Sequence, residues 1–121
     1  MKILVCEDDV IVAKVIQVAL EPLNVHAYWV KDGDKAFRLL KAQNDYDLII
    51  TDIHMPHYNG DQILSLIRNE QKKTTPIIMI SSDDAEEAIN LALKSGVNDY
   101  MVKPVNPELL AKKVKKLLNL K

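Results

Sequence analysis

The chain has 121 residues, 48% of them hydrophobic, with sixteen basic residues against seventeen acidic ones for a net charge of −1. That length accommodates one domain with one true core, and the near-neutral balance excludes a global electrostatic pull toward nucleic acid. No stretch approaches the roughly eighteen continuous apolar residues of a membrane span, and the amino terminus enters a strand and not a signal peptide, so the expectation is a soluble, cytoplasmic protein.

Five short apolar runs alternate with five longer stretches of helical spacing, and no repeat, low-complexity tract or long linker interrupts them. Ile3-Leu4-Val5-Cys6 reads as the first strand and stops at Glu7-Asp8-Asp9. Cys6, the single cysteine, has no partner for an internal disulfide. Beside Glu7 and Asp8 its pKa should rise, so it reads as a small buried strand residue and not as a reactive thiol. Val10 to about Leu20 carries Ile11, Val15, Val18 and Ala19 at helical spacing, with Asp8 or Asp9 available as the N-cap. A second strand lies near Val25 to Val30, and a helix from Gly33 to about Gln43 carries Ala36, Phe37, Leu39 and Leu40. Asp47 to Thr51 is the third strand, with Asp52 at its end. After the Met55-to-Gly60 loop, a helix from about Asp61 to Asn69 buries Ile63, Leu64 and Ile67.

Pro76 opens the fourth strand, where its missing amide donor costs least. Asp83 with Glu86 makes a capping box for a helix that ends at Gly96, a residue suited to a left-handed closing position. The fifth strand, Asp99 to Val102, stops at Lys103-Pro104, and a last helix begins at Asn106-Pro107 and runs to about Leu118. Lys112, Lys113, Lys115 and Lys116 form a basic stripe on that helix; cations are favourable near a helix carboxyl end, so a solvated face is expected. His26 and His57 read as surface residues.

Short apolar strands alternating with helices point to a parallel sheet buried on both faces, with right-handed crossovers. In such a sheet the carboxyl ends of the strands open on one crevice. Glu7, Asp8, Asp52 and Lys103 would therefore meet in space. Three carboxylates in one crevice repel one another, and the remedies are a raised pKa, a paired base or a bound cation. A hard divalent ion with oxygen ligands answers the problem, and Lys103 supplies the remaining positive charge.

Four fragments, in order, carry a resemblance. They are Ile3 to Asp9; Asp47 to Pro56 with Asn59-Gly60 behind it; Pro76 to Ser82; and Gly96 to Pro104. Together they resemble the CheY-like receiver domain of two-component response regulators, along the length of the chain. The resemblance implies an α/β fold, a (βα)5 doubly wound, flavodoxin-like sheet of strand order 2-1-3-4-5, with its switch point beside Glu7, Asp8 and Asp52. It implies one receiver domain over residues 1–121 with no output domain in this chain, and a phosphoacceptor signalling domain in place of an ordinary enzyme.

As the resemblance has it, Asp52 accepts a phosphoryl group from a sensor histidine kinase or a histidine-containing phosphotransfer protein. Mg2+, with Mn2+ as the alternative, would be held by Glu7, Asp8, Asp52 and the backbone carbonyl of His54. Lys103 would pair with Asp52 at rest and with the phosphoryl oxygens afterwards, and Ser81 would donate its hydroxyl to one of them. Ser81 and Tyr100 would form the switch, altering a face made of Glu86 to Lys94, Asn98 to Lys103 and Pro107 to Leu118. Homodimerisation through that face, no direct contact with nucleic acid or membrane, and a cis Lys103-Pro104 bond are further implications. No further cofactor site is implied.

Each residue also has a plainer reading. Asp52 could cap a loop, which leaves its meeting with Glu7, Asp8 and Lys103 unexplained. Lys103 could be an ordinary strand-end lysine, Ser81 a loop serine, and Tyr100 core material. His54 could ligate a metal through its ring, whereas the resemblance turns its side chain outward to modulate access to the phosphoryl group. Asp83 could tune hydrolysis or simply cap a helix.

Three other classes compete. A haloacid-dehalogenase-type phosphatase places its nucleophile after the first strand in an Asp-x-Asp pair, and this chain has Glu7-Asp8-Asp9 there and no cap insertion. A flavodoxin-like carrier needs a hydroxyl- and glycine-rich loop for phosphate, which Glu7 and Asp8 would repel. A phosphorylation-independent pseudo-receiver would have lost an acidic partner, Asp52 or Lys103, and all are present.

Overall fold

In a computed structural model, which describes residues 1–120, five parallel strands stand in the order β2-β1-β3-β4-β5. They are β1 (Lys2–Cys6), β2 (His26–Val30), β3 (Leu48–Asp52), β4 (Ile77–Ser81) and β5 (Asp99–Val102). The helices are α1 (Val10–Leu20), α2 (Gly33–Ala42), α3 (Gly60–Ser65), α4 (Glu86–Lys94) and α5 (Pro107–Leu118). A 3-10 turn at Glu21–Leu23 follows α1, and a π-helical turn at Leu66–Glu70 follows α3. The expected strand order holds, and order reverses between β1 and β3.

Every residue of β3 and β4 is buried, because helices cover both faces of the sheet. Side chains alternate between those faces. Ile3, Val5, Leu48, Ile50, Ile78 and Ile80 pack with α1 and α5, whereas Leu4, Cys6, Ile49, Ile77, Met79 and Tyr100 pack with α2, α3 and residues of α4. The edge strand β2 exposes His26, Ala27 and Tyr28.

Local signals set most element ends. Asp9 caps α1 by accepting from the amides of Ile11 at 2.8 Å and Val12 at 3.3 Å. Asn59 and Gln62 form a reciprocal capping box on α3. Asn106 accepts from the Leu109 amide at 3.0 Å, with Pro107 at the first helical position of α5. Gly96, at φ 112°, ends the α4 segment, and the Val97 amide reaches back to the Ala92 carbonyl at 3.2 Å. The Lys103–Pro104 bond is cis.

Several expectations need correction. The buried face of α1 consists of Ala13, Ile16, Ala19 and Leu20, while Ile11 is 76% and Val18 53% exposed. All residues of this helix except Lys14 and Gln17 are apolar, so apolar spacing alone does not choose a face. The capping box from Asp83 to Glu86 does not form: α4 starts at Glu86 behind Ala85, whose methyl group makes no capping hydrogen bond. Asp83 lies too early because its amide donates to Ser81 Oγ at 3.0 Å and its carbonyl accepts from the Tyr100 hydroxyl at 3.0 Å. Its carboxylate accepts from the Ala85 amide at 3.0 Å, a turn and not a helix cap. The expected single helix to Asn69 is α3 continued by the π turn, with Ile63, Leu64 and Ile67 buried as anticipated. Pro76 lies just outside β4, where its carbonyl still accepts from the Ile49 amide at 2.9 Å.

Candidate functional site

The crevice is built by strands that stop in register. Glu7 follows Cys6 and continues the face of Ile3 and Val5, so its side chain is only 1% exposed while Asp8 emerges at the surface. Asp52 ends the fully buried β3 and is itself buried. Lys103 follows β5, and its amide donates to the Ser81 carbonyl at 2.8 Å, which fixes where its side chain starts. From there the ammonium donates to Asp52 Oδ2 and lies 3.1 Å from Glu7 Oε1. The other Asp52 oxygen accepts from the His54 amide at 3.1 Å.

Glu7, Asp8 and Asp52 can each offer an oxygen within 4.8 Å of the others, a group of carboxylates that could hold a metal ion. Burial first, and the neighbouring Asp52 second, push the Glu7 carboxyl up to about 8, with Lys103 pulling the other way. Burial alone would lower the Lys103 ammonium, but the carboxylates of Asp52 and Glu7 beside it outweigh that and its pKa rises. Glu7 Oε1 has no hydrogen bond of good geometry, its approach to Lys103 being electrostatic contact alone. A buried carboxylate oxygen that no hydrogen bond holds, among oxygen-only ligands, fits a hard cation such as Mg2+.

The remaining sequence-predicted residues fall around this core. Ser81 ends β4 and is buried, next in the sheet to the β3 end. Tyr100 is buried, with its hydroxyl on the Asp83 carbonyl, so Asp83 links Ser81 to Tyr100 through its own backbone. His54 presents its amide to Asp52 while its side chain is exposed, and His26 and His57 are exposed as well. Cys6 is buried, and burial pushes its thiol up to about 12.

Comparison with known proteins points the same way. The family profile of the response regulator receiver domain matches residues 3–115. The chain belongs to this family. The receiver is 34% identical over 120 residues to a CheY homolog of Campylobacter jejuni, covering 98% of this chain and 92% of the relative. It is also 34% identical to CheY1 of Helicobacter pylori, covering 98% of this chain and 97% of that one. Among solved structures, a Francisella response regulator 1452 receiver domain superposes with a TM-score of 0.89 at 34% identity, covering 98% of this chain and 96% of that one. The protein is therefore a CheY-like receiver of the two-component type, a signalling domain, and no helix among its described residues is long and apolar enough to cross a membrane.

Residue-by-residue reading misses the groups that hold the loops of this receiver. The Gly33 amide donates to the Pro56 carbonyl at 2.9 Å, and Tyr58 stacks on Phe37 with ring centroids 4.2 Å apart. The Trp29 indole donates to the Glu7 carbonyl at 2.7 Å. The signal available for Gly33 was a glycine directly after Asp32 at a helix start; nothing local signalled Trp29.

Proposed function

We propose that this receiver accepts a phosphoryl group on Asp52 from a phosphohistidine of a sensor histidine kinase or phosphotransfer protein, in a Mg2+-dependent reaction. A carboxylate oxygen of Asp52 attacks phosphorus, the phosphorus–nitrogen bond breaks, and the imidazole leaves with the electron pair and takes up a proton. Such transfer depends on positioning and on neutralising charge spread over the phosphoryl oxygens. Glu7, Asp8, Asp52 and the His54 carbonyl would hold Mg2+, which when bound neutralises part of that charge. Lys103 exchanges its bond to Asp52 for one to a phosphoryl oxygen, and the Ser81 hydroxyl donates to another. Water attack on the acyl phosphate returns Asp52 and inorganic phosphate, a step that exposed His54 and Asp83 would modulate.

The observation that carries this reading is one ammonium, Lys103, reaching both Asp52 and Glu7 inside a three-carboxylate crevice. Output follows from a population shift between conformers that differ in phosphoryl contacts, running through Ser81 and Tyr100 to the α4-β5-α5 face. Leu93 of α4 and Leu109 of α5 are exposed, apolar surface that supports use of these helices by a partner or a second copy. The expected setting is the cytoplasm.

Intact mass after incubation with acetyl phosphate tests the reading. One added phosphoryl group is expected with Mg2+, and none with chelator or in Asp52→Asn. A wild type that gains no phosphoryl group and binds no Mg2+ overturns it. Sedimentation with a phosphoryl mimic should detect a dimer, and an unchanged monomer at high concentration would sink the dimer alone.

A further inference from the structure

Trp29 sits on β2 beside Val5 of β1, on the face covered by α1 and α5. Its indole N–H donates to the backbone carbonyl of Glu7 at 2.7 Å. The amide of the same residue, Glu7, donates to the Val30 carbonyl at 3.1 Å. The chain is thus held on both sides of the Glu7 α-carbon, once by β2 backbone and once by a β2 side chain. A trans peptide unit points its C=O and its N–H in opposite directions. With the Glu7 carbonyl turned to the indole, the Asp8 N–H must face away from Trp29. There it donates to Glu7 Oε2 at 3.0 Å. The plane that Trp29 fixes therefore aims one donor at the buried carboxylate and sets the direction from which the Asp8 side chain leaves the strand.

We propose that Trp29 is a positioning residue of the acidic site, its indole N–H holding the Glu7–Asp8 peptide in the orientation that presents both carboxylates to the crevice. The inference rests on the reading of Glu7, Asp8 and Asp52 as the holders of Mg2+. The ring is kept in place by packing in the α1–α5 core cluster, with Val12 among its members, and by the Lys31 ammonium 5.4 Å from the ring centroid. A half-buried tryptophan usually finds some hydrogen-bond acceptor. What sets this one apart is the acceptor itself, the carbonyl between two acidic side chains of the site.

The test is an Mg2+ titration of the full chain followed by amide NMR, on wild type, Trp29→Phe and Val12→Ala. Trp29→Phe keeps an aromatic ring and removes the donor, and its Mg2+ affinity should fall about tenfold, the lower end for losing a group that orients metal ligands. In metal-free protein the Asp8 amide resonance should move in the same variant. Val12→Ala removes packing from the same cluster and should lower the melting temperature while leaving Mg2+ affinity unchanged. A Trp29→Phe protein that binds Mg2+ as the wild type does overturns the proposal and leaves the reading of the site intact, whereas a wild type that binds no Mg2+ overturns both. If Trp29→Phe does not fold, the wild type still decides: a slowly exchanging indole N–H that shifts on adding Mg2+ supports the proposal, and a rapidly exchanging, unmoved one overturns it.

Discussion

Glu7 holds its carboxyl against both burial and a neighbouring acid. Its carboxyl ordinarily titrates at 4.5, and burial followed by the neighbouring Asp52 lifts it to about 8 in the folded, metal-free protein. Between those values the folded state binds more protons than the unfolded state. Its stabilising contribution is therefore full below the unfolded value and is lost as pH rises through about 8. Urea midpoints of chelator-treated protein should fall from about pH 6 to about pH 9, and Glu7→Gln should remove most of that slope. Cys6 makes a second prediction: with its thiol pushed up to about 12 by burial, it should resist a thiol reagent at about pH 8 in native protein and react at once in urea. The acidic residues and Lys103 were legible because each directly ends an apolar run, and parallel strands bring such ends together. Trp29 was not legible, because its role depends on one atom-to-atom contact across strands that no spacing encodes.

The helices differ in how firmly they are seated. No residue of α4 is fully buried, Leu91 is 67% exposed, and a cavity of about 390 Å³ lies between α3 and α4, lined in part by Leu64, Arg68, Leu91 and Ala92. Few buried contacts mean low local stability. Hydrogen exchange should find α4 the least protected of the five helices. By contrast α2 is locked to the loop after β3, for a β-carbon on Gly33 would lie 1.8 Å from the Tyr58 carbonyl oxygen, backbone that cannot swing aside. Gly33→Ala should cost about 1–3 kcal/mol in urea unfolding and shift the amides of His54 to Asn59. Element types and order were legible from alternating apolar runs. The face of α1 was not, since its near-uniform apolar composition leaves the choice to α5, and the start of α4 was not, since Asp83 is engaged by Ser81 and Tyr100.

At the scale of the whole molecule, stability is concentrated in a sheet sandwiched between two apolar clusters. Ile49 and Ile50 are fully buried, on opposite faces of the central strand, so one strand serves both clusters. Replacing either with alanine should cost about 2–5 kcal/mol by urea unfolding, a large share of a total that is typically about 5–15 kcal/mol. The same strand ends at Asp52, so a fully buried strand at the centre of the sheet carries the proposed phosphoacceptor. The proposed readout face lies toward the β5 edge of the sheet, around α4 and β5.

The contact between Trp29 and Glu7 has an optical consequence. This chain contains a single tryptophan, so all of its indole emission originates against the carbonyl between Glu7 and Asp8. The unlabelled protein carries its own fluorophore one hydrogen bond away from the backbone of the acidic site. Events there should register as a change in intensity or emission maximum, letting rapid mixing follow them in real time without a dye.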